Sequence, residues 1–207
     1  MAGNAPPPRA SYTPSHKENA LTTSIPTTRL RSHDRGALTE HFLSLDGEDR
    51  RLRFGSPIAD QVVREYVGRI DFVRDGAFAV HDDALAIVAA VHVALGPGDA
   101  ELGLSVLPEW RGSGHGDVLV ARAVTFLRNR GKRHVFVHCL AENGAMMHLA
   151  RKNGMTMAYG GGEADGRLAL APPTPGSLFT EWMEDQHGTT VKAFRQGALN
   201  ALALMGR

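Results

Sequence analysis

From residue 104 the chain reads Leu104-Ser105-Val106-Leu107-Pro108-Glu109-Trp110-Arg111-Gly112-Ser113-Gly114-His115-Gly116, a strand pattern that passes through a glycine-rich turn into a helix. Glycine lets a ligand approach the main chain closely. The first amides of a helix have no carbonyl partner within it, and the helix dipole is positive at that end, so this spacing suits phosphate oxygens. The same glycines also suit a strand-to-helix turn with no ligand. Two common phosphate-binding motifs do not fit. A Walker loop needs Lys and then Ser or Thr after its last glycine, whereas Asp117 and Val118 follow Gly116. A dinucleotide fingerprint needs a glycine where Asp117 stands and opens a βαβ unit.

A second set of residues can move protons. The turn Gly96-Pro97-Gly98-Asp99 sets Ala94 opposite Glu101 and His92 opposite Gly103. Glu101, His92, Gly103 and Ser105 then share one strand face, while Val91, Val93, Leu95, Leu102, Leu104 and Val106 supply core on the other. A carboxylate and an imidazole among small residues leave room for a substrate and groups to take its proton, directly or through water. Glu101 and His92 are therefore the base candidates, with His138 on the next strand a third. The plainer reading is a sheet end at which both meet solvent.

These residues need a mixed α/β frame. Gly76 to His81, the Asp82-Asp83 turn and Leu85 to Leu95 form a hairpin, and Glu101 to Leu107 adds a third antiparallel strand. Gly114 to Arg130 is an amphipathic helix with Leu119, Val120, Ala123, Val124 and Leu127 on its apolar face. His134 to Leu140 is a strand, Asn143 caps a short helix closed by Gly154, and Thr156 to Tyr159 and Arg167 to Ala171 flank a turn over Gly160 to Gly166. Upstream, a short strand spans Thr28 to Arg31, and Asp34 opens a helix carrying Leu38, Phe42 and Leu45. Ser56-Pro57 opens another, with a stripe of Ile58, Val62, Val63, Tyr66, Val67 and Ile70. Asp49 to Arg53 between them reads as a solvated charge run. Residues 1–26 are a proline-rich disordered tail, 27–171 the main domain and 172–207 an appendage of two helical stretches. The appendage carries Phe179, Trp182, Met183, Phe194 and Leu202, a set that must cover the sheet edge or join a second subunit, with a homodimer favoured.

Composition narrows the partners. Lys plus Arg number 23 against 22 Asp plus Glu, a net charge of +1 over 207 residues, which favours small molecules over nucleic acid or an anionic membrane. Cys139 is the single cysteine, no metal-ligand pattern stands out among the histidines, and no secretory signal is visible, so a cytoplasmic protein without a metal is expected. The longest apolar run, Ala84 to Leu95, falls short of the roughly 20 residues of a membrane span.

Residues 100–171 resemble the GCN5-related N-acetyltransferase (GNAT) superfamily. Its acetyl-CoA signature is Arg or Gln, two residues, Gly, one residue, then Gly or Ala, and Arg111, Gly114 and Gly116 match it. The resemblance implies a mostly antiparallel mixed sheet flanked by helices. It also implies an acetyl-CoA cosubstrate whose pyrophosphate lies on the amides of Arg111, Gly112, Ser113, Gly114, His115 and Gly116, with its pantetheine arm along Leu104, Ser105 and Val106. Glu142-Asn143 with Leu149 and Gly154 is similar to the family's second cofactor segment, in which Asn143 contacts the cofactor. The implied reaction is direct attack of an amine, from a protein lysine or a small molecule, with Glu101 or His92 as base. One departure matters. The family commonly has a tyrosine acid seven residues after that asparagine, and here the position is Ala150. A CoA-binding module without turnover therefore stays open, as does, on the glycines alone, a nucleotide-dependent oxidoreductase. Leu43-Ser44-Leu45 through Arg53-Phe54-Gly55 also resembles bacterial acetyltransferase domains that acetylate protein lysines.

Overall fold

Alternating apolar residues over most of the chain are gathered into one sheet of seven strands in the computed structural model, which describes residues 25–205. The tail expected over residues 1–26 lies outside that range up to residue 24. The strands are β1 (Thr28–Arg29), β2 (Gly76–His81), β3 (Ile87–Leu95), β4 (Ala100–Val106), β5 (His134–Leu140), β6 (Thr156–Gly160) and β7 (Glu163–Ala169). Their order across the sheet is β1-β2-β3-β4-β5-β7-β6. All neighbours are antiparallel except β4 and β5. The helices are α1 (Arg35–Leu43), α2 (Gly47–Phe54), α3 (Asp60–Arg69), α4 (His115–Asn129), α5 (Gly144–Lys152) and α6 (Pro175–Met205).

Both faces of the sheet are covered. Phe78, Val91, Val93 and Leu102 on one face pack against Leu119, Ala123 and Phe126 of α4 and against Met146 and Ala150 of α5. On the other, Ala77, Ala79 and Ala90 meet Leu38 and Phe42 of α1 and Val63 and Val67 of α3. Three alanines on that second face leave room for helices to approach closely.

The parallel pair positions the site. β4 and β5 are in register only at Ala100 with Val135 and Glu101 with Phe136, after which they part, while β5 continues along β7. Leu107 donates its N–H to Val88 O on the β3 side, so the strand's alternation turns the N–H groups of Leu104 and Val106 toward the gap.

Four expectations need correction. The charge run Asp49 to Arg53 is the body of α2: Asp46 accepts from Asp49 N at 2.7 Å as its N-cap, and Gly55 closes it at φ 79°. Acidic Glu48 and Asp49 begin this helix and Arg51 and Arg53 end it, so charge placement stabilises it without an apolar stripe. Ser56-Pro57 lies in the connection, and α3 starts at Asp60, whose carboxylate pairs with Arg50 at 2.6 Å. The turn over residues 160–166 shrinks to Gly161 and Gly162, both at positive φ, and β7 begins at Glu163.

The fourth correction is at the C-terminus. The two expected helical stretches are one helix of 31 residues, α6. Its middle glycine, Gly188, is no break; a Cβ there would collide with the Thr27 carbonyl, so the glycine lets α6 lie directly on the edge at β1. The docking is polar. Arg122, 1% exposed, donates to Glu184 and Asp185, Lys192 pairs with Asp34 at 2.6 Å, and Arg195 donates to His81 O and Asp82 O. Phe179, Trp182, Met183, Phe194 and Leu202 point outward instead of burying, because the inner side is committed to these ion pairs. Among the described residues no helix is long and apolar enough to cross a membrane.

Candidate active site

Where β4 leaves β5, a cleft of about 410 Å³ opens between the start of α4, α5 and α2. Of the residues expected to bind a cofactor, Leu104, Ser105, Val106, Arg111, Gly112, Gly114, His115, Gly116 and Asn143 line it, and Ser113 does not. Gly112 and Gly114 have φ of 75° and 85°, which side chains rarely adopt. A Cβ at Gly116 would lie 3.1 Å from Leu149, so that glycine lets α4 and α5 approach. Val118 makes the first hydrogen bond of α4, to Gly114 O, and the amides of His115, Gly116 and Asp117 precede it. These free amides at a dipole's positive end fit a diphosphate.

Side chains brace this cradle. The His115 ring donates through Nδ1 to Trp110 O at 2.9 Å, since a carbonyl can only accept, and stacks edge-on to Trp110. Arg111 donates to Val106 O and pairs with Asp49 at 2.6 Å, tying the turn to α2. Asn143 caps α5 by accepting from Met146 N and donates to Leu52 O, so it joins α5 to α2 at the cleft wall. Ala150 is fully buried in the core and does not line the cleft.

A second cavity of about 240 Å³ lies beyond the gap, walled by Tyr66, Glu101, Gly103, His138 and Cys139. It shares Leu52, Arg53, Leu104, Asn143 and Met146 with the first. Glu101 is exposed on its wall. His138 is exposed too, donates to Asp165 at 2.7 Å and lies 3.4 Å from Glu163, and these carboxylates hold its pKa above the usual value.

The registers expected from the turn hold: Ala94 faces Glu101 and His92 faces Gly103. His92 does not reach either cavity. It is 8% exposed and sits behind Tyr66, whose hydroxyl is 2.8 Å from its Nδ1. Burial first, then the charge of Arg53, lowers its pKa. Ser105 is buried as well, with Oγ 2.7 Å from Nε2 of His41, while His41 Nδ1 donates to Ile87 O. Burial pushes His41 down to about 4, so the ring is neutral and Ser105 donates to it.

Residues absent from the sequence-based list shape this region. Arg53 lies against Gly103, where a Cβ would strike its guanidinium, and sits 4.9–5.5 Å from the ring centres of Phe42, Phe54 and Tyr66. It also donates to Tyr66 Oη at 2.9 Å. A tyrosine inside an apolar helical stripe was the one available signal, because a phenol placed in a core needs a partner.

Comparison with known proteins follows the same outline. The model of the acetyltransferase (GNAT) family matches residues 42–155, more than half of the chain. No curated protein matches it. The GNAT domain of S. lividans PAT has a TM-score of 0.61 at 20% identity, covering 70% of this chain and 89% of that one. The ribosomal-protein-S18-alanine N-acetyltransferase of Escherichia coli has a TM-score of 0.54 at 16% identity, with 72% and 96% covered. The putative acetyltransferase yncA of Salmonella typhimurium, whose structure contains its cofactor acetyl-CoA, has a TM-score of 0.55 at 14% identity, with 72% and 95% covered. These likenesses are of fold. The family match reaches further, for every residue that lines either cavity falls inside it, and the chain therefore belongs to the acetyltransferase (GNAT) family.

Proposed function

We propose that the chain transfers an acetyl group from acetyl-CoA to an amine. The observation that carries this is the gap between β4 and β5, which joins an amide-lined anion cleft to a second cavity bearing a free carboxylate. Acetyl-CoA as cosubstrate supplies the thioester. Gly112, Gly114, His115, Gly116 and the rest of the turn hold its diphosphate, and Leu104, Ser105 and Val106 guide its arm toward the gap. The Val106 N–H faces that gap and is placed to donate to the oxyanion that forms on attack. Glu101 attracts the acceptor's ammonium and takes its first proton, leaving a neutral nitrogen to attack. Protein lysine and small-molecule amines both satisfy this chemistry. The outward Leu178, Phe179, Trp182 and Met183 of α6 support a homodimer, which light scattering overturns if the full chain is a monomer.

Thiol release from acetyl-CoA across a panel of amines and lysine peptides tests the activity. Amine-dependent release is expected. Tight acetyl-CoA binding with no release from any acceptor would instead establish a binding module.

A further inference from the structure

α2, α3, β3 and the residue before β2 together build a string of polar groups that ends at the second cavity. Arg53 donates to Tyr66 Oη at 2.9 Å, Tyr66 Oη is 2.8 Å from His92 Nδ1, and His92 Nε2 is 3.5 Å from Asp75 Oδ2. The polarity is determined at one end. An ionised carboxylate only accepts, so with Asp75 facing Nε2, a buried atom with no other hydrogen-bond partner, the imidazole proton sits on Nε2. Nδ1 is then the acceptor and takes the hydrogen bond of the Tyr66 hydroxyl, whose oxygen accepts from Arg53. Asp75 is 4% exposed. Burial would raise its pKa, but the Leu95 N–H, Arg74 and His92 outweigh that and keep it ionised. His92 is neutral at pH 7 and so has a vacant lone pair for the phenol's proton.

We propose that the Tyr66 hydroxyl, positioned by His92 and Asp75, removes the second proton from the acceptor nitrogen and returns it to the departing sulfur, a role that rests on the acetyltransferase reading above. Glu101 acts before attack and Tyr66 after it. When the neutral nitrogen forms the C–N bond, the carbonyl electron pair moves to oxygen and the nitrogen is left with one proton too many. That proton passes to Tyr66 Oη as the phenol's proton passes to His92 Nδ1, and the imidazolium formed is paired with Asp75. When the C–S bond breaks, its electron pair leaves on sulfur. Tyr66 then gives the sulfur a proton and recovers its own from His92, so the protein ends unchanged. Arg53, donating to Oη, holds the hydroxyl in place while protons pass through it, and Oη keeps one proton throughout. The hydroxyl thereby fills, from α3, the role that Ala150 cannot fill from α5.

The charged and titratable groups around the string are Arg53 from α2, His41 from α1, Glu101 from β4, His138 from β5, and Arg74 and Asp75 ahead of β2. A pH profile must therefore separate Glu101 from Tyr66. Tyr66→Phe keeps the ring and is expected to lower kcat about a hundredfold with the KM for acetyl-CoA unchanged, and raising the pH to about 9.5 does not restore it. His92→Gln still accepts a hydrogen bond but cannot take a proton, and is expected to match Tyr66→Phe in kcat. Glu101→Gln recovers at the higher pH, because more of the acceptor ammonium then loses its proton to water without help. Nitrogen NMR on the wild-type protein is expected to show His92 as the Nε2–H tautomer. A wild-type rate in Tyr66→Phe, its recovery at high pH, or an Nδ1–H tautomer overturns the relay. A wild-type protein that releases no thiol with any amine overturns the acetyltransferase reading and the relay with it.

Discussion

Under α4 and α5 the sheet buries Phe78, Val91, Val93 and Leu102 against an apolar layer, and the ligand cradle at its end is made of main-chain amides. Under α1 and α3 the same sheet buries His41, Asp75, His92 and Ser105 among alanines, and the cavity wall there is made of side chains. A main-chain site depends on where side chains are missing. A side-chain string depends on each member, because a buried polar group that loses its partner costs more than the pair contributed. The cofactor face is thus sensitive to added bulk and the acceptor face to lost atoms.

The largest effect expected on this contrast is on the cofactor face. Gly114→Glu puts a side chain at φ 85° and a negative charge into the cradle, so acetyl-CoA affinity by calorimetry falls about a hundredfold or more while the circular dichroism spectrum is unchanged. Undiminished affinity breaks the contrast at its first term. On the acceptor face, stability itself responds to acid. His41 ionises at about 4 when folded and near 6.5 when unfolded, so between those values the unfolded chain binds a proton that the folded chain does not. The contribution is complete above about pH 6.5 and is lost as pH falls toward 4, amounting to roughly 3 kcal/mol. Urea unfolding over that range measures the slope, to which His81, also buried and pushed down to about 4, adds; His41→Asn reduces the slope by about half, and an unchanged slope means that His41 does not contribute to it. Smaller still, Glu101→Gln lowers turnover about tenfold at neutral pH with acetyl-CoA affinity retained. The least effect sharpens the boundary between the two faces. Asp46→Ala removes the cap of α2 and lowers stability by about 1 kcal/mol in thermal melts, because the cap is exposed and the helix is held also by its ion pairs.

The contrast also explains what could be read from the residues in order. Gly112, Gly114 and Gly116 announce their site within one turn, and the pairing of Ala94 with Glu101 follows from the Pro97-Gly98 turn because strand register is a short-range property. Asn143 as the cap of α5 is equally local. α2 escapes pattern reading because its stability lies in charges and caps rather than in a stripe. Tyr66 is hidden for the opposite reason: its ring fits the stripe of α3 like a phenylalanine, while the partners of its hydroxyl come from 13 and 26 residues away. His41 and Ser105 are 64 residues apart, and no spacing rule joins them. The outward apolar residues of α6 mislead for a related reason, since the glycine and ion pairs that choose its inner side belong to contacts with β1 and α4.

β1 is two residues long and sits at one end of the sheet, with α6 laid across it. A bare strand edge is a template on which another chain can add a strand, and short length plus a helical cover are two ways of blunting it. β6, at the opposite end, lies against α5 instead. Removing α6 would leave Arg122 without Glu184 and Asp185 and expose the β1 edge together. The helix therefore covers the edge on which strand addition would begin, and that cover comes from a segment remote from either cavity.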